Sequence, residues 1–535
     1  MPVTDAVVIG SGPNGLVAAN LLADRGWEVT VLEAQNTPGG AVRSDSEVHP
    51  GFVHDTFSSF YPLAVVSPTV RGLHLEGFGL HWEHAPAVAG TPFLSGEWAL
   101  MHRTPEATAE ALDAMSPGDG PAWLELCTGW QRIGDAVLRG ILEPFPPVRA
   151  GLGIASRLPG AGGLGFVQMM LSPLQSMAGQ RFSGRAAQLL LAGNAAHADI
   201  PVDAIGSTTM AWVLAMVGQH LGYPVPRGGA GELTRALVER LTSRGGQLAL
   251  GARAARVIVR SGTAVAVQVE GGDEVHARRA VLADVSAPSL YGRLVAPEDL
   301  PSRLLRRMER FEWDPGTVKV DWALSGRVPW ASTPTVAPGT IHVAESIDEI
   351  RTAGAQLAAG AIPSTPFLLA GQMATADPLR APDDAESFWA YTHVPQRTTS
   401  DAGGGGITGS WDHADTERMA DRMQARIEAY APGFGDRVLA RRVLGPRELE
   451  ARNENLVGGA LNGGTANLHQ QLVFRPVPGL GRAETPIAGL YLASSSAHPG
   501  GGVHGACGAN AARAAVAHDR VRSLFPTRSR KDTRA

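Results

Sequence analysis

The chain has 535 residues, enough for two domains with a large core, and its 44% hydrophobic content is that of a globular protein. A formal net charge of −5 offers nucleic acid no basic surface, and two cysteines, Cys127 and Cys507, without motif spacing argue against a disulfide framework or a zinc site. No apolar run reaches the roughly eighteen residues that a membrane span needs, and the first strand begins so close to Met1 that no leader peptide is expected. These features predict a cytoplasmic protein without metal or nucleic-acid partner; peripheral membrane contact and oligomeric state stay open.

The chain opens on an apolar run, Ala6-Val7-Val8-Ile9, followed by Gly10-Ser11-Gly12-Pro13-Asn14-Gly15, a helical stretch over 16–25 and a second apolar run over 29–32 that ends in Glu33. Gly10 allows the tight turn, Gly12 lets backbone approach a pyrophosphate and Gly15 lets helix pack on strand. The helix start at Pro13 and Asn14 presents positive dipole to phosphate, while Glu33 is placed to accept hydrogen bonds from a ribose diol. Next come Thr37-Pro38-Gly39-Gly40-Ala41-Val42-Arg43. A Gly39-Gly40 pair past the ribose acid, followed by Arg43, resembles the flavoprotein extension of the dinucleotide motif. There a second loop closes over FAD and the arginine reaches the diphosphate as a bidentate cation. The expected cofactor is FAD.

Residues 45–75 read as loop and short elements, and 104–115 and 122–138 as amphipathic surface helices. Residues 166–171, 186–192 and 207–221 read as helices apolar on most faces, core of a second domain and lining for a long apolar ligand, a use that methionines suit. Gly160-Ala161-Gly162-Gly163-Leu164-Gly165 has the letters of a dinucleotide motif but no strand before it, so no second nucleotide site is expected. A helix over 233–244 precedes strands at 247–250, 255–259, 264–269, 274–278 and 280–284. Val257 is expected to give adenine a backbone contact. Residues 317–324 alternate with period two, setting Val318, Val320 and Trp322 on one face and Lys319 and Asp321 on the other. Residues 414–430 form a charged helix. Only Lys319 and Lys531 are lysines, which singles out Lys319 inside the chain.

The closing segment has a strand over 487–493, then Ser494-Ser495-Ser496-Ala497-His498-Pro499-Gly500-Gly501-Gly502-Val503-His504 and a helix over 506–520. A glycine cluster of Gly500, Gly501 and Gly502, with Val503, opening a helix suits the pyrimidine side of a flavin, whose reduced form is anionic there. His498, His504 and Lys319 are the candidate catalytic side chains.

The two ends together resemble the phytoene-desaturase-like flavoprotein superfamily, on residues 8–15, Glu33, 38–41, 228–237, 319–325, 440–443 and 490–512. The resemblance is strongest to the branch with desaturase-like β-carotene ketolases and pyridine nucleotide-disulphide oxidoreductase domain 2 proteins. Two departures stand out: relatives have Gly-Ala-Gly-Thr-His-Pro-Gly-Gly where this chain reads Ala-Ser-Ser-Ser-Ala before His498, and Met-Pro-Gly-Arg-Asn where it has Ala506-Cys507-Gly508-Ala509-Asn510. Both fall where the flavin and the substrate are expected to meet. The resemblance implies an α/β fold of the amine-oxidase and phytoene-desaturase type. A discontinuous FAD-binding Rossmann-like domain (1–75, 225–300 and 481–525) is expected, with a mixed sheet-and-helix substrate domain (76–224 and 301–480) and a flexible basic tail (526–535). It also implies hydride transfer from a hydrophobic small molecule, a polyene or carotenoid among the candidates, to flavin N5, with Lys319 resembling the lysine that amine oxidases hold near that atom. The alternatives are an amine-oxidase-like flavoenzyme and a low-turnover flavoprotein acting through protein partners.

Overall fold

The computed structural model describes residues 3–524, so the basic tail at 526–535 lies outside the described residues. Two seven-stranded sheets organise the chain. In the first, Val3–Ile9 pairs in parallel with Val29–Leu32 on one side and Glu274–Ala283 on the other, and Gln247–Ala249 extends the Val29–Leu32 edge. Ala254–Arg260 and Thr263–Val269 continue the sheet as an antiparallel meander, and Leu490–Leu492 runs parallel beside the end of Glu274–Ala283. Val3–Ile9 is buried from Thr4 onward, as a parallel strand covered on both faces must be, which is why it reads as an unbroken apolar run.

Two expected strands at 274–278 and 280–284 are a single ten-residue strand, Glu274–Ala283. The arginines that suggest a break in the sequence lie at its exposed side, where Arg278 Nε donates to Asp5 at 2.9 Å and Arg279 Nη1 to Asp519 at 3.2 Å. The last strand shrinks to Leu490–Leu492 because residues 485–489 turn back on themselves through Thr485.

The second sheet has the order Val438–Leu444, Gly316–Leu324, Glu386–Val394, Leu368–Gln372, Pro338–Val343, Ala87–Pro92, Trp98–Met101. One face packs on the charged helix His413–Tyr430 through Met419, Ala420, Met423 and Ile427. The other face packs on the apolar helices Arg185–His197 and Ser207–Leu221. The third apolar segment differs from expectation: in the helix Leu164–Leu171 only Phe166 is buried, and Leu164 is 83% exposed. An eight-residue helix at the rim has one neighbour to pack on, so the rest of its apolar surface faces out.

Between the two sheets lies a dry knot of charge. Arg380, wholly buried, donates to Asp55 at 2.9 Å and to Asp377 at 3.0 Å. The same two carboxylates accept from the Gly228 and Ala230 backbone N–H groups at 2.7 and 2.8 Å. The glycine-rich turn before the helix Gly231–Ser243 therefore has its donors satisfied by protein. Replacing Arg380 with methionine leaves two buried carboxylates without their cation, a loss of roughly 3–5 kcal/mol. The R380M protein is expected to unfold in urea at a much lower midpoint than wild type, and an unchanged midpoint would refute the role given to this arginine.

Candidate FAD site

The first strand ends at Ile9, and Gly10 turns the chain with φ of 91° into the helix Pro13–Ala23. The turn is glycine-bound by sterics. A β-carbon on Gly15 would lie 2.2 Å from the Gly10 carbonyl oxygen, and one on Gly12 would lie 2.6 Å from an Asp284 carboxylate oxygen. Gly12 has no side chain to cap the helix, and the Asp284 carboxylate takes the first-turn Gly15 N–H in its place. The Gly39-Gly40 loop closes from above, Gly40 so near that a β-carbon would stand 2.9 Å from the Gly12 Cα.

These turns line one cleft of about 1270 Å³, part of it open to solvent, together with Glu33, Arg43, Ser494–496, Gly502 and Val503. Glu33 stands at the end of its strand, its carboxylate accepting from Ser11 N at 2.9 Å, Ser11 Oγ at 2.6 Å and Gln35 N at 2.9 Å. Arg43 donates to Thr37 Oγ1 at 3.1 Å and to the Arg452 carbonyl at 2.8 Å, and its Nε is buried without a partner. Burial holds its pKa below the usual guanidinium value. Asn14 Oδ1 is a second orphaned polar atom in the cleft wall. The cleft thus brings together an acid, a guanidinium with one unpaired N–H, the start of a helix and a serine–glycine loop.

Several expected contacts fall elsewhere. Val257 is buried against Val267 and does not line the cleft; the wall there is Arg253 and Ala254, at the start of the same strand. Of the glycine cluster, Gly502 lines the cleft with Val503, while Gly500 packs against the Arg475 guanidinium and Gly501 against the Asn462 side chain. The three catalytic candidates do not converge. His498 is buried with Nε2 3.0 Å from the Glu143 carbonyl. His504 Nδ1 accepts from Ala506 N at 3.0 Å while its carbonyl accepts from Ser67 Oγ, so it fastens the start of the last helix; burial brings its pKa down to about 4. Lys319 faces neither solvent nor cleft. It is held by Asp321 and, at 2.9 Å, by the Asp55 carbonyl, with its ammonium 5.7 Å from the Trp389 ring centre.

Three contributors escaped sequence reasoning. Asp284 follows the Glu274–Ala283 strand and accepts from Gly15 N at 2.8 Å. Arg475, fully buried, donates to the Ser495, Thr465 and Asn462 carbonyls at 2.9, 3.0 and 2.7 Å and sets a positive charge beneath the serine–glycine loop. Residues 452–456 close the cleft's third side. The strand-terminal Asp284 carried the one readable signal, an acid ending an apolar run.

Residues 8–73 match the NAD(P)-binding Rossmann-like domain and residues 174–332 the flavin containing amine oxidoreductase family. The chain is 29% identical to mouse pyridine nucleotide-disulfide oxidoreductase domain-containing protein 2, over 96% of this chain and 93% of that one. It is 24% identical to a phytoene desaturase (neurosporene-forming) of Cereibacter sphaeroides, over 97% and 95%. Along nearly its whole length the chain is thus similar to FAD-dependent oxidoreductases of the phytoene-desaturase-like kind. Its fold is that of putrescine oxidase, with a TM-score of 0.60 at 17% identity over 96% of this chain and 99% of that one, and of an oxidoreductase from Methanosarcina mazei, 0.60 at 14% over 96% and 99%. The cofactor is FAD, and the residues present fit it: Glu33 suits ribose hydroxyls, the orphaned Arg43 Nε and the close glycine turn at Gly10–Gly12 suit the diphosphate, and the serine–glycine loop above Arg475 suits an anionic ring.

Burial, with a contribution from the Glu33 charge, pushes the Asp284 carboxyl up to about 7. A raised carboxyl pKa gives stability that is complete below the unfolded value near 4 and is lost as pH rises through about 7. For FAD-free protein, wild type is expected to lose up to roughly 4 kcal/mol relative to D284N between pH 4 and pH 7, with no further divergence above pH 8. Parallel urea titrations of the two proteins across that range measure it, and curves that stay parallel would show Asp284 to be ionised throughout.

Proposed function

We propose that this chain dehydrogenates a hydrophobic small molecule of the isoprenoid or polyene kind. Bound FAD supplies the hydride acceptor. The residues of the chain then have three tasks. Glu33, Arg43 and the Gly10–Gly15 turn hold the dinucleotide, and Arg475 favours negative charge on the ring side. The apolar helices Arg185–His197 and Ser207–Leu221 keep water from the reacting carbon. The aromatic surface of the second sheet receives the substrate.

The observation that carries this reading is an aromatic cluster on the helix-facing side of the second sheet: Trp389, itself buried, and Tyr391 lie parallel, 4° apart in plane with centroids at 6.0 Å, and Phe60 stands 6.1 Å from Trp389. Flat, conjugated or cyclic hydrocarbon matches such a surface. Relatives over most of the chain include one component of a limonene dehydrogenase and prolycopene isomerases, whose names are those of isoprenoid hydrocarbons. FAD-loaded protein is expected to bleach anaerobically with an isoprenoid hydrocarbon such as phytoene or limonene and to stay yellow with putrescine or cyclohexylamine. Bleaching by the amines alone would establish the amine-oxidase reading in its place.

Among the described residues no helix is long and apolar enough to cross a membrane. The helices Val148–Arg157 and Leu164–Leu171 nevertheless turn Val148, Leu152, Leu164 and Leu171 outward, with Leu171 56% exposed, beside Arg149 and Arg157. We take this rim as the surface through which a cytoplasmic protein draws an apolar substrate from a bilayer. Sedimentation with anionic vesicles is expected to carry down wild type and to leave a Leu164→Glu/Leu171→Glu variant in the supernatant. Equal pelleting of both would remove the membrane role from these helices.

A further inference from the structure

The helix-facing side of the second sheet carries more hydrogen-bonding groups than a pure hydrocarbon needs. Directly opposed residues share a face, so His342, Leu369 and Tyr391 form one row across three strands, and Thr340, Gly371 and Trp389 form the next. His197, the last residue of the helix lying over them, has its ring centroid 6.1 Å from that of His342. Both ring nitrogens of His342, Nδ1 of His197 and Oγ1 of Thr340 are buried without a partner, and His342 is only 1% exposed. His342 Nδ1 packs against Gly193 of that helix; buried polar atoms in native proteins are as a rule matched, so the other three, His342 Nε2 and Thr340 Oγ1 on the sheet and His197 Nδ1 above them, mark a place where a ligand completes the bonding. Tyr391 and His197 keep accessible surface although protein encloses them, which puts a space beside them.

That space adjoins the FAD cleft. Asp199, two residues beyond His197, pairs with His393 Nε2 at 2.5 Å and accepts from the Asn462 side-chain amide. Asn462 lies between Leu461 and Gly463 of the cleft wall and packs against Gly501, next to Gly502 of the same wall. The charges of the region cancel in pairs, Asp199 with His393 and Lys319 with Asp321. Burial holds His342 and His197 neutral, with pKa values down to about 3 and about 4. A neutral imidazole both donates and accepts, and the one carboxylate here outside an ion pair among the described residues, the buried Asp314, is held by the Leu461, Asn462 and Gly464 N–H groups. Among the described residues no group of three or more His, Cys, Asp or Glu side chains can hold a metal.

We propose that His342, His197 and Tyr391 form a subsite for a neutral oxygen function, a hydroxyl or carbonyl, on an otherwise apolar substrate. The inference rests on the proposed function for the apolar body and adds the polar group. Four probes with one polyene body test it on FAD-loaded protein: retinol, retinal, the matching hydrocarbon axerophthene and retinylamine, with dissociation constants read from tryptophan quenching. Retinol or retinal is expected to bind about tenfold more tightly than axerophthene, the worth of a good buried hydrogen bond, and more tightly than retinylamine. His342→Phe and Tyr391→Phe are each expected to remove most of that margin while keeping axerophthene affinity within about twofold. Tyr391→Phe deletes one hydroxyl at an accessible position, so it folds even where the histidine variant does not.

Equal affinities, preference for the hydrocarbon or amine, a margin that survives both substitutions, or no binding by any of the four overturns the subsite. Flavin bleaching on the same samples separates the two readings. A protein that prefers retinol yet is bleached by no apolar compound loses the dehydrogenation and keeps the subsite, while one bleached by hydrocarbon without the preference loses only the subsite.

Discussion

The Cα of Gly508 sits so close to the Asn14 carbonyl that a β-carbon would stand 1.9 Å from that oxygen. The helix Ala506–Leu524 can approach the Gly10–Gly15 turn only because there is no side chain at this contact, and a few residues earlier Gly505 meets Val17 in the same way, at 2.9 Å. Residues almost five hundred positions apart are thereby locked into one wall. A dinucleotide whose phosphates rest on the first helix then meets the serine–glycine loop with its far end. The cofactor is long, and this backbone-on-backbone contact fixes the span between its two anchors.

A second constraint is the management of buried charge. Arg380, Lys319 and Arg442 are buried or nearly so, and each lies against carboxylates: Asp55 and Asp377 for Arg380, Asp321 shared by Lys319 and Arg442, and Asp45 for Arg442. Such networks stabilise little beyond an apolar core of the same volume, but losing one member is costly. Their effect here is to fix registry. Asp55 binds Arg380, the Ala230 N–H and Ser44 Oγ, and through its carbonyl Lys319. One short segment thus ties the turn before Gly231–Ser243 to the second sheet. Arg475 is the exception, surrounded by carbonyls, with its pKa brought down to about 10 by burial. An arginine without a carboxylate beside it is costly to bury, and its place under the cofactor loop gives that cost a use.

The cofactor cleft was largely legible in the sequence because its chemistry is done by backbone. A turn that must pass within van der Waals contact of another strand admits only glycine, and glycine at fixed spacing can be read from letters. Glu33 and Arg43 were legible for the same reason, as they hang from the strand end and loop that the glycines position. Side chains that reach the site from far along the chain were not. Asp284 meets Gly15 across 269 residues, and Arg475 meets Ser495 from a stretch of turns and short helices. Val257 lies inside the sheet, and it is the strand's entry at Ala254 that borders the cleft. Lys319 was assigned correctly to its strand face, but strand periodicity cannot tell a solvated face from one covered by a second layer.

The polar row on the second sheet shows how that blindness arises. His342 and Tyr391 lie on strands whose sequences, Pro338–Val343 and Glu386–Val394, are buried along nearly their whole length. With both faces covered, alternation of polar and apolar residues no longer separates core from solvent; it separates one interior from another. The face toward His413–Tyr430 is filled by Val320, Trp322, Phe388 and Ala390, and its buried polar residues, Glu386 and Thr392, are bonded to protein. The face toward Arg185–His197 keeps Thr340, His342, Tyr391 and His393. A sheet stabilised by packing alone would gain from apolar residues on both sides. The polar groups persist on the side that adjoins the cofactor cleft, where the stability they cost is offset only if something binds there.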